Sequence, residues 1–400
     1  MKQKISLAVA LVVVAACAEP VSPPTPMLEN VPDAPAFAKG SAGDAIPGQY
    51  IVVFNQHVAD PHGKAKTKTA KANGKLKHSY GAALQGFAAE LSDNAVAELR
   101  ADPDVAYVER DQTVSINVTQ TSATWGIDRA DQRALPLSGT YTYTNTGSGI
   151  TAYIIDTGIR FDHAEFAGRA VTGYDAVTAG GNASDCNGHG SHVAGTVGGT
   201  TYGVAKGVTL VAVRVLDCGG SGSNSGVIAG IDWVTANHSA GAPAVANMSL
   251  GGGASTALDD AVRNSIADGV SYAIAAGNGF FGFAQNACNS SPARVAEAIT
   301  ISATDKTDTK ASFGNYGSCV DFFAPGVSIT SAWYTSSTAT NTISGTSMAA
   351  PHVAGAAALY LQSNRASTPL QVRDALYANT TKAVVKSSRT TNNHLLFVNY

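Results

Sequence analysis

The sequence predicts an α/β fold in which a parallel sheet carries helices on both faces, preceded by a small α+β unit. After Trp125, short apolar runs such as ITAYIID and TLVAVRVLD alternate with helical segments such as GVIAGIDWVTA and LDDAVRNSIADG. Strands that are apolar along their whole length are typical of sheets covered on both faces, and their alternation with helices indicates parallel connections. With 400 residues, 44% of them hydrophobic, the chain can bury a substantial core and form two or three domains.

The N-terminus predicts an exported protein. Lys2 and Lys4 precede an apolar run that is too short to span a bilayer and ends in small residues, which is typical of a signal peptide over residues 1–17. The motif VAAC, which ends at Cys17, also resembles a bacterial lipobox, in which the cysteine is lipidated after cleavage. An ordinary signal peptide cut after Ala18 is the alternative, and the sequence does not decide between the two.

A linker and a small folded unit are expected next. Residues 18–43 hold six of the fifteen prolines, which predicts an extended, disordered segment. From 44 to 117 we expect an α+β unit with a strand at 49–54, a second strand-like run in LQGFAAEL, a helix around 92–101 and a final run VAYVERDQ. The lysine-rich stretch KAKTKTAKANGKLK is interpreted as a solvated helix face. The α/β domain then occupies residues 118–400.

Charge and cysteine content narrow the possible partners. The formal net charge of −3 provides neither the basic field that nucleic-acid binding needs nor a polybasic membrane anchor. Four cysteines follow Cys17, and in an exported chain they predict disulfides. Three connectivities are possible, and a zinc site is the alternative, although no Cys-x-x-Cys spacing supports it. Pairing in sequence order would close two similar loops: Cys186–Cys218 and Cys288–Cys319.

Three polar residues fit the roles of an orienting acid, a base and a nucleophile. Asp156 closes ITAYIID, His189 lies in the glycine-rich NGHGSHVAG, and Ser347 is surrounded by small residues in SGTSMAAPHVAG. Functional groups of parallel sheets collect past the carboxyl ends of strands, and Asp, His, Ser is a known chain order for a catalytic triad. Other interpretations remain for the individual residues. Asp156 could cap a turn, His189 and His192 could bind a metal, and small residues also suit a buried helix start.

Taken together, the segments around these three residues resemble a known family. DTGI at 156–159, GHGSHVAG at 188–195 and GTSMAAPHVAG at 345–355 closely resemble the three signature motifs of the subtilisin-like serine proteases. Further similarity in WGIDRADQR, the cysteine placement and the terminal LLFVNY points to the proteinase K branch, in particular its aqualysin-like extracellular members. The resemblance covers essentially all of residues 118–400.

The resemblance implies a role for each of four residues. Ser347 would be the nucleophile, His189 the general base and then the general acid, and Asp156 the carboxylate that holds the imidazole. Asn278, in AIAAGNG, would donate its side-chain amide to the oxyanion, together with the backbone N–H of Ser347. A turn-forming asparagine is the alternative for Asn278.

Two rival functions remain at this stage. A metal-dependent hydrolase could use His189 and His192, but no third ligand is apparent in the sequence. An inactive homologue could act as a binding protein, and the intact triad motifs argue against it. If the chain is a serine protease, His192 and His352 are packed histidines without a chemical role.

The resemblance also implies how substrate binds. An extended peptide would lie against exposed backbone, a mode that reads few side chains and gives broad specificity. None of the segments expected to line the cleft contains an acidic residue, so we predict a preference for large apolar or aromatic residues before the scissile bond. The edges and the first pocket would be formed by Gly220-Ser221-Gly222, Ser249-Leu250-Gly251-Gly252 and Ala275-Ala276-Gly277.

Residues 44–117 resemble the inhibitor-type propeptide of these proteases. Such a segment would assist the slow pairing of a parallel sheet and then block the cleft. We expect self-cleavage near residues 115–120, which would also separate the catalytic domain from any lipid at Cys17. An accessory binding domain is the alternative, and the catalytic domain is expected to act as a monomer on proteins and peptides.

Calcium is the one cofactor that the resemblance implies, and its role would be structural, with no cofactor for catalysis. Solvated surface carboxylates are the alternative at both matching places. At one of them the usual proline is replaced by Ala296, which weakens the match. The ligands would be the carbonyls of Ala296 and Ala298 with the carboxylate of Asp321 at one site, and Asp128, Asp131 and Gln132 with oxygens near Ser138 and Thr140 at the other.

Overall fold

The computed structural model describes residues 45–112, 118–279 and 283–400. The expected signal peptide, Cys17 and the proline-rich linker therefore lie outside the described residues, as does the segment 113–117 at the expected cleavage region. Within the described ranges, no helix is both long enough and apolar enough to cross a membrane.

The first described segment forms a four-stranded antiparallel sheet with two helices. The strand order is β2-β3-β1-β4, and the apolar side chains of Val52, Phe54, Phe87 and Leu99 lie in its core. The small α+β unit predicted from the sequence is present in this form. Its elements are β1 (Ala45–Phe54), α1 (Pro61–Lys71), β2 (Lys75–Tyr80), β3 (Gly86–Glu90), α2 (Asp93–Arg100) and β4 (Val105–Gln112).

The lysine-rich stretch is only partly the solvated helix face that we expected. Its last three residues, KLK at 75–77, begin β2 (KLKHSY) rather than continuing the helix. The side chain of Lys68 on α1 is only 13% exposed, and its Nζ lies 2.6 Å from Asp102 and 3.0 Å from Asp104. Hydrogen bonds from Lys64 and Lys68 lower the pKa of Asp104 to about 2. These lysines tie α1 to the loop before β4, a contact that the sequence pattern does not reveal.

A seven-stranded parallel sheet forms the centre of the second part of the chain. Its order is β15-β14-β12-β10-β7-β9-β8, and every neighbouring pair is parallel. The sheet strands are β7 (Thr151–Asp156), β8 (Ala170–Asp175), β9 (Thr209–Arg214), β10 (Ala244–Met248), β12 (Val270–Ala275), β14 (Ile299–Thr304) and β15 (Phe322–Pro325). The helices are α3 (Trp125–Ala130), α4 (His189–Gly198), α5 (Asn224–Asn237), α6 (Thr256–Asp268), α7 (Thr346–Ser363) and α8 (Pro369–Asn379). Short ribbons and bridges use β5 (Val118–Thr121), β6 (Thr140–Tyr143), β11 (Gly252–Gly253), β13 (Ser290–Ser291), β16 (Ile329–Ala332) and β17 (Thr340–Ile343).

Helices cover both faces of this sheet, which confirms the predicted fold class. Successive strand residues point to opposite faces, so Ile154 belongs to a core that includes Val193 of α4 and Val353 of α7. Its neighbour Ile155 belongs to a second core with Ile231 of α5 and other side chains of α5 and α6. Both faces of β7 are buried, which explains why the strand reads as a continuous apolar run.

The strand order reverses at β7, and this favours a functional site at the carboxyl ends of β7 and its neighbour β10. The strands β8 and β9 lie on one side of β7, and the chain then continues with β10 on its other side. In open parallel sheets, sites form outside the carboxyl ends of the strands where the order reverses in this way. The residues that follow β7 and β10, beginning with Thr157 and Ser249, lie at this edge.

Candidate active site

Asp156 and His189 are in direct contact at the carboxyl edge of the sheet. Asp156 is the last residue of β7 and is fully buried, while His189 is the first residue of α4. Asp156 Oδ1 lies 2.7 Å from His189 Nδ1 and also accepts the backbone N–H of Thr157 at 2.8 Å. When Nδ1–H donates to the carboxylate, the Nε2 atom of a neutral imidazole is left as the proton acceptor.

The surroundings of His189 favour its charged form. Burial is the largest influence and disfavours the imidazolium, but the charge and hydrogen bond of Asp156, together with the charge of Asp185, outweigh it and raise the pKa of His189. A quarter of the side chain, 25%, remains exposed. The ring is therefore held by its hydrogen bond to Asp156 and remains partly accessible to solvent, as a proton carrier must be.

Ser347 occupies the first turn of α7. Its Oγ donates to the carbonyl of Ser249 at 3.0 Å, and the Ser249 hydroxyl donates back to the carbonyl of Ser347 at 2.7 Å. Because a hydroxyl carries one proton, Ser347 does not donate to His189 in this arrangement. Catalytic hydrogen bonds often form or tighten only when substrate is bound.

Asn278 presents an amide group with a fixed orientation. Its Oδ1 accepts from the backbone N–H of Thr346 at 2.8 Å and from the Thr346 hydroxyl at 2.9 Å. The Nδ2 group has no protein partner among the described residues, and an added Cβ at Gly345 would lie 3.3 Å from it. Asn278 and Ser347 line the same cavity. An oriented, unpaired donor near a nucleophile can stabilise a developing oxyanion.

Two adjoining cavities follow the edge of the sheet. One of about 550 Å³ is lined by His189 and Gly220–Gly222, and the other, of about 500 Å³, by Ser347 and Ala275–Gly277. Both are also lined by Ser249–Gly252. The structure thus brings the predicted cleft segments together with the predicted catalytic residues. The described residues that line the two cavities include no acidic side chain.

The two other histidines of the motifs are packed in the core. His192 Nε2 lies 2.9 Å from the carbonyl of Ile329, and His352 Nδ1 lies 2.8 Å from that of Met348. Burial lowers the pKa of each to about 4. Both are therefore neutral at pH 7 and donate to backbone carbonyls. In the described part of the chain, no group of three or more His, Cys, Asp or Glu residues is arranged to hold a metal ion.

The four described cysteines form two disulfides in sequence order. Cys186–Cys218 has a Cα–Cα distance of 5.0 Å, and Cys288–Cys319 one of 5.4 Å. The first disulfide connects the segment just before His189 to the loop that begins the cleft wall at Gly219. Asn187 reinforces this link by donating its side-chain amide to the carbonyl of Cys218 at 3.0 Å.

Residues that support the site were missed in the sequence analysis. Asn315 donates its side-chain amide to the carbonyl of Ala276 at 2.8 Å and its backbone N–H to that of Gly277 at 2.9 Å. Gly277 has φ +93°, and a Cβ there would lie 2.7 Å from Asn315 Nδ2. Thr346, which orients Asn278, lies inside a motif and so carried a signal. Asn315 carried none, because its partners are distant in the sequence.

Comparison with protein families identifies two matching regions. Residues 147–396 match the profile described as the subtilase family, peptidase S8. Residues 49–117 match the peptidase inhibitor I9 profile. The two regions correspond to the seven-stranded sheet with its helices and to the four-stranded sheet that precedes it.

Individual relatives agree with these matches. The chain is 55% identical to an extracellular serine proteinase of Thermus sp. strain Rt41A, with 98% of both chains covered. It is 49% identical to an alkaline serine exoprotease A of Vibrio alginolyticus, covering 92% of this chain and 71% of that protein. A crystal structure of a cold adapted subtilisin-like serine proteinase is 56% identical with a TM-score of 0.66, covering 69% of this chain and 98% of that one. The chain therefore belongs to the subtilase family of serine proteases and carries an I9-type inhibitor segment ahead of its protease region.

Proposed function

We propose that the protein is a secreted serine endopeptidase that cleaves proteins and peptides with broad specificity, acting as a monomer through Ser347, His189 and Asp156. One observation carries this proposal. The 2.7 Å contact between His189 and Asp156 lies at the same cleft as Ser347 and Asn278, whose Nδ2 has no partner among the described residues. Together these groups provide a base, its orienting acid, a nucleophile and an oxyanion donor.

The proposed reaction begins with attack of Ser347 Oγ on the scissile carbonyl carbon. Its proton moves to His189 Nε2, and Asp156 stabilises the resulting imidazolium without taking the proton. The carbonyl oxygen becomes an oxyanion that accepts from Asn278 Nδ2 and from the N–H of Ser347. His189 then protonates the leaving amine, an acyl-enzyme forms, and water hydrolyses it by the same steps with His189 again as base.

The first pocket supports a preference for large apolar or aromatic residues before the scissile bond. Its walls, Ala275–Gly277 and Ser249–Gly252, are backbone and small side chains, and no described acidic residue lines it. A buried guanidinium would lack a partner there, which costs binding energy. We expect kcat/KM to be roughly 10- to 100-fold higher for a peptide with Phe before the leaving group than for its Arg counterpart.

The preference for Phe over Arg is measured on purified mature enzyme with two chromogenic tetrapeptides that differ only in the residue before the leaving group. Equal rates, or faster cleavage after Arg, would show that the pocket has been misassigned. Slow cleavage of both tetrapeptides alongside rapid digestion of an unfolded protein would place the main specificity elsewhere in the cleft.

We further propose that the protein is made as a precursor. Residues 1–17 would be the signal peptide, 18–43 a linker, 44–117 the inhibitor segment and 118–400 the protease, with self-cleavage near 115–120. The I9 match over 49–117 and the extracellular relative from Thermus support maturation and secretion. None of these relatives supports a lipid at Cys17, so the proposal contains no lipid anchor.

For calcium, the residues near Asp128 and Asp131 fit the family's expectation. Asp131 Oδ1 is buried and has no hydrogen-bond partner in the described part of the chain, and burial, with a smaller effect of Asp128, raises the pKa of Asp131 to about 6. Asp128 Oδ1 and Gln132 Oε1 both accept from the N–H of Ser138, at 3.1 and 3.0 Å. Two neighbouring carboxylates with an orphaned oxygen are what a hard cation would stabilise. We propose that calcium binds here and adds stability without entering the reaction.

The second expected calcium site fits less well. The guanidinium of Arg373 donates to the carbonyl of Ala296, one of the expected ligands, and its charge also acts on Asp321. Asp321 Oδ2 accepts the N–H of Thr300 at 2.7 Å. A calcium ion and this guanidinium would repel each other and compete for one carbonyl. We therefore confine the calcium proposal to the site at Asp128 and Asp131.

Chelation tests the calcium site through thermal stability. We expect EGTA to lower the Tm of the mature enzyme by about 5–10 °C, because an ion at about 100 times its Kd contributes roughly 2.7 kcal/mol. Asp131→Asn should start with a lower Tm and lose the response to EGTA. Asp321→Asn serves as the control and should respond to EGTA as the unaltered enzyme does. A response that disappears in Asp321→Asn instead would assign calcium to the other site.

A further inference from the structure

A carboxylate outside the triad links the two elements that carry Asp156 and His189. Asp185 lies in the segment that leads into α4, four residues before His189. Both of its oxygens accept hydrogen bonds, five in all. Oδ1 accepts from the Thr157 hydroxyl (2.9 Å) and from the backbone N–H of Asn187 (2.9 Å) and Gly188 (2.9 Å), and Oδ2 accepts from the Ser191 N–H (2.9 Å) and hydroxyl (2.7 Å).

These hydrogen bonds bridge the end of β7 and the start of α4. Thr157 directly follows Asp156, and its hydroxyl both donates to Asp185 and accepts the N–H of Gly190 at 2.8 Å. The first turn of α4 packs so closely against the segment after β7 that a Cβ at Gly190 would lie 2.1 Å from the carbonyl of Gly158. The position of the imidazole relative to Asp156 therefore depends on the Asp185 network as well as on the His189–Asp156 hydrogen bond itself.

We propose that Asp185 is a positioning residue for catalysis, which holds the first turn of α4 against the end of β7 and adds a second negative charge behind His189. This inference rests on the proposed function, in which His189 is the general base. Asp185 would not touch the substrate. It would act through the location of the ring and through the stability of the imidazolium that forms when Ser347 loses its proton.

The negative charge of Asp185 should affect the pH dependence of activity through the pKa of His189. Within the described ranges, the charged or titratable groups that act on His189 are Asp156, Asp185 and, on its own helix, His192, which is neutral near pH 7. The two carboxylates raise the pKa of His189, against the opposing effect of burial. Only neutral His189 can accept a proton, so activity falls as pH decreases through this pKa. Removal of the Asp185 charge should therefore shift the acid limb of kcat/KM to lower pH.

The test compares Asp185→Asn with Asp185→Glu in the mature enzyme, with kcat/KM measured from about pH 5 to 9. The asparagine keeps the size of the side chain but loses the charge and cannot accept all five hydrogen bonds. We expect kcat to fall roughly tenfold from misplacement of the ring, together with an acid limb at lower pH. The glutamate should also lower kcat but keep the acid limb near that of the unaltered enzyme.

Asp175→Asn is the matched control. Asp175 is a buried carboxylate that also accepts several hydrogen bonds, from Val177, Thr178 and Ala183, but it is not among the charges that act on His189. Its loss should lower the Tm without moving the acid limb. An acid limb that stays in place in Asp185→Asn, or that moves equally in Asp175→Asn, would overturn the proposal.

Two milder variants serve if Asp185→Asn does not fold. Ser191→Ala and Thr157→Val each remove a hydroxyl bound to Asp185 and keep its charge. They should lower kcat several-fold with no shift of the acid limb, and an unchanged kcat in both would contradict the positioning role. Failure of the proposed function would look different, because the unaltered enzyme would then neither hydrolyse peptides nor be inactivated by a serine-directed acylating reagent.

Discussion

Replacing Ser347 with alanine is expected to abolish peptide hydrolysis and precursor cleavage together, while the fold remains intact. The substitution removes the atom that would attack the carbonyl, and loss of a triad nucleophile costs on the order of 10⁶-fold in kcat. Among the residues that the structure describes, the hydroxyl makes one hydrogen bond, the 3.0 Å contact with the carbonyl of Ser249, which is lost with it. Precursor size on a gel, hydrolysis of a Phe-containing peptide and Tm measure the three consequences.

Ser363→Ala provides the control on the same helix. Ser363 lies at the other end of α7, where its hydroxyl accepts from Asn145 at 2.7 Å, so its loss should reduce stability by about 1 kcal/mol and leave kcat unchanged. If Ser347→Ala matured and hydrolysed peptides as well as Ser363→Ala, Ser347 would be a structural residue. The metal-dependent or binding functions would then have to be reconsidered, and sensitivity of catalysis to chelators would separate them.

The fold was predictable because the apolar composition of its strands indicates that both faces of the sheet are buried. A strand buried on both faces is apolar over its central residues, as in Ala152–Ile155 of β7, and the seven-stranded parallel sheet follows from the repetition of such strands between helices. The lysine-rich stretch was harder to interpret. Lysines are compatible with any exposed surface, so their number did not show where α1 ends and β2 begins, nor that Lys68 pairs with Asp102.

The position of the proposed catalytic residues at one edge of the sheet was predictable for a related reason. Asp156 ends a strand, Asn278 follows one, and His189 and Ser347 lie in the first turns of helices, so the topology of a parallel sheet places all four at one edge. Local sequence motifs marked each position. Once the motifs DTGI and GHGSHVAG lie side by side at this edge, the 2.7 Å contact between Asp156 and His189 can form.

The supporting residues were not predictable, because their roles arise from contacts between distant segments. Asn315 is 39 residues from Ala276, whose carbonyl accepts its amide, and Arg373 is 77 residues from the Ala296 carbonyl that it occupies. A sequence pattern contains no local sign of such pairings. Asp185 is intermediate, since it lies beside a motif but its function depends on Thr157, 28 residues away.

Replacing Asn278 with leucine is expected to lower kcat by about 10²- to 10³-fold with little change in KM. In the proposed reaction the amide donates to an oxygen that becomes negatively charged only in the transition state, so its removal should affect the chemical step more than substrate binding. Leucine is close to asparagine in size and cannot donate. Initial rates over a range of peptide concentrations give kcat and KM separately.

Two further variants separate the donor from its support. Thr346→Val removes the hydroxyl that donates to Asn278 Oδ1 but keeps the backbone N–H at 2.8 Å, so the amide should remain mostly oriented and kcat should fall only about tenfold. Asn145→Leu is the control for loss of a buried amide, since Asn145 donates to the carbonyl of Leu359 at 3.0 Å, away from the cleft. It should lower Tm and leave kcat unchanged.

The division between kcat and KM decides what Asn278 does. A donor that served the ground state and the transition state equally would, on removal, raise KM at constant kcat. That result would make Asn278 a substrate-binding residue and leave the N–H of Ser347 as the remaining proposed oxyanion donor. A fall in kcat at constant KM, larger in Asn278→Leu than in Thr346→Val, would instead mean that the fixed amide acts on the charge that develops during attack by Ser347. The two hydrogen bonds from Thr346 to Asn278 Oδ1 would then contribute to catalysis, because they orient the amide so that its nitrogen and not its oxygen faces the reacting carbonyl.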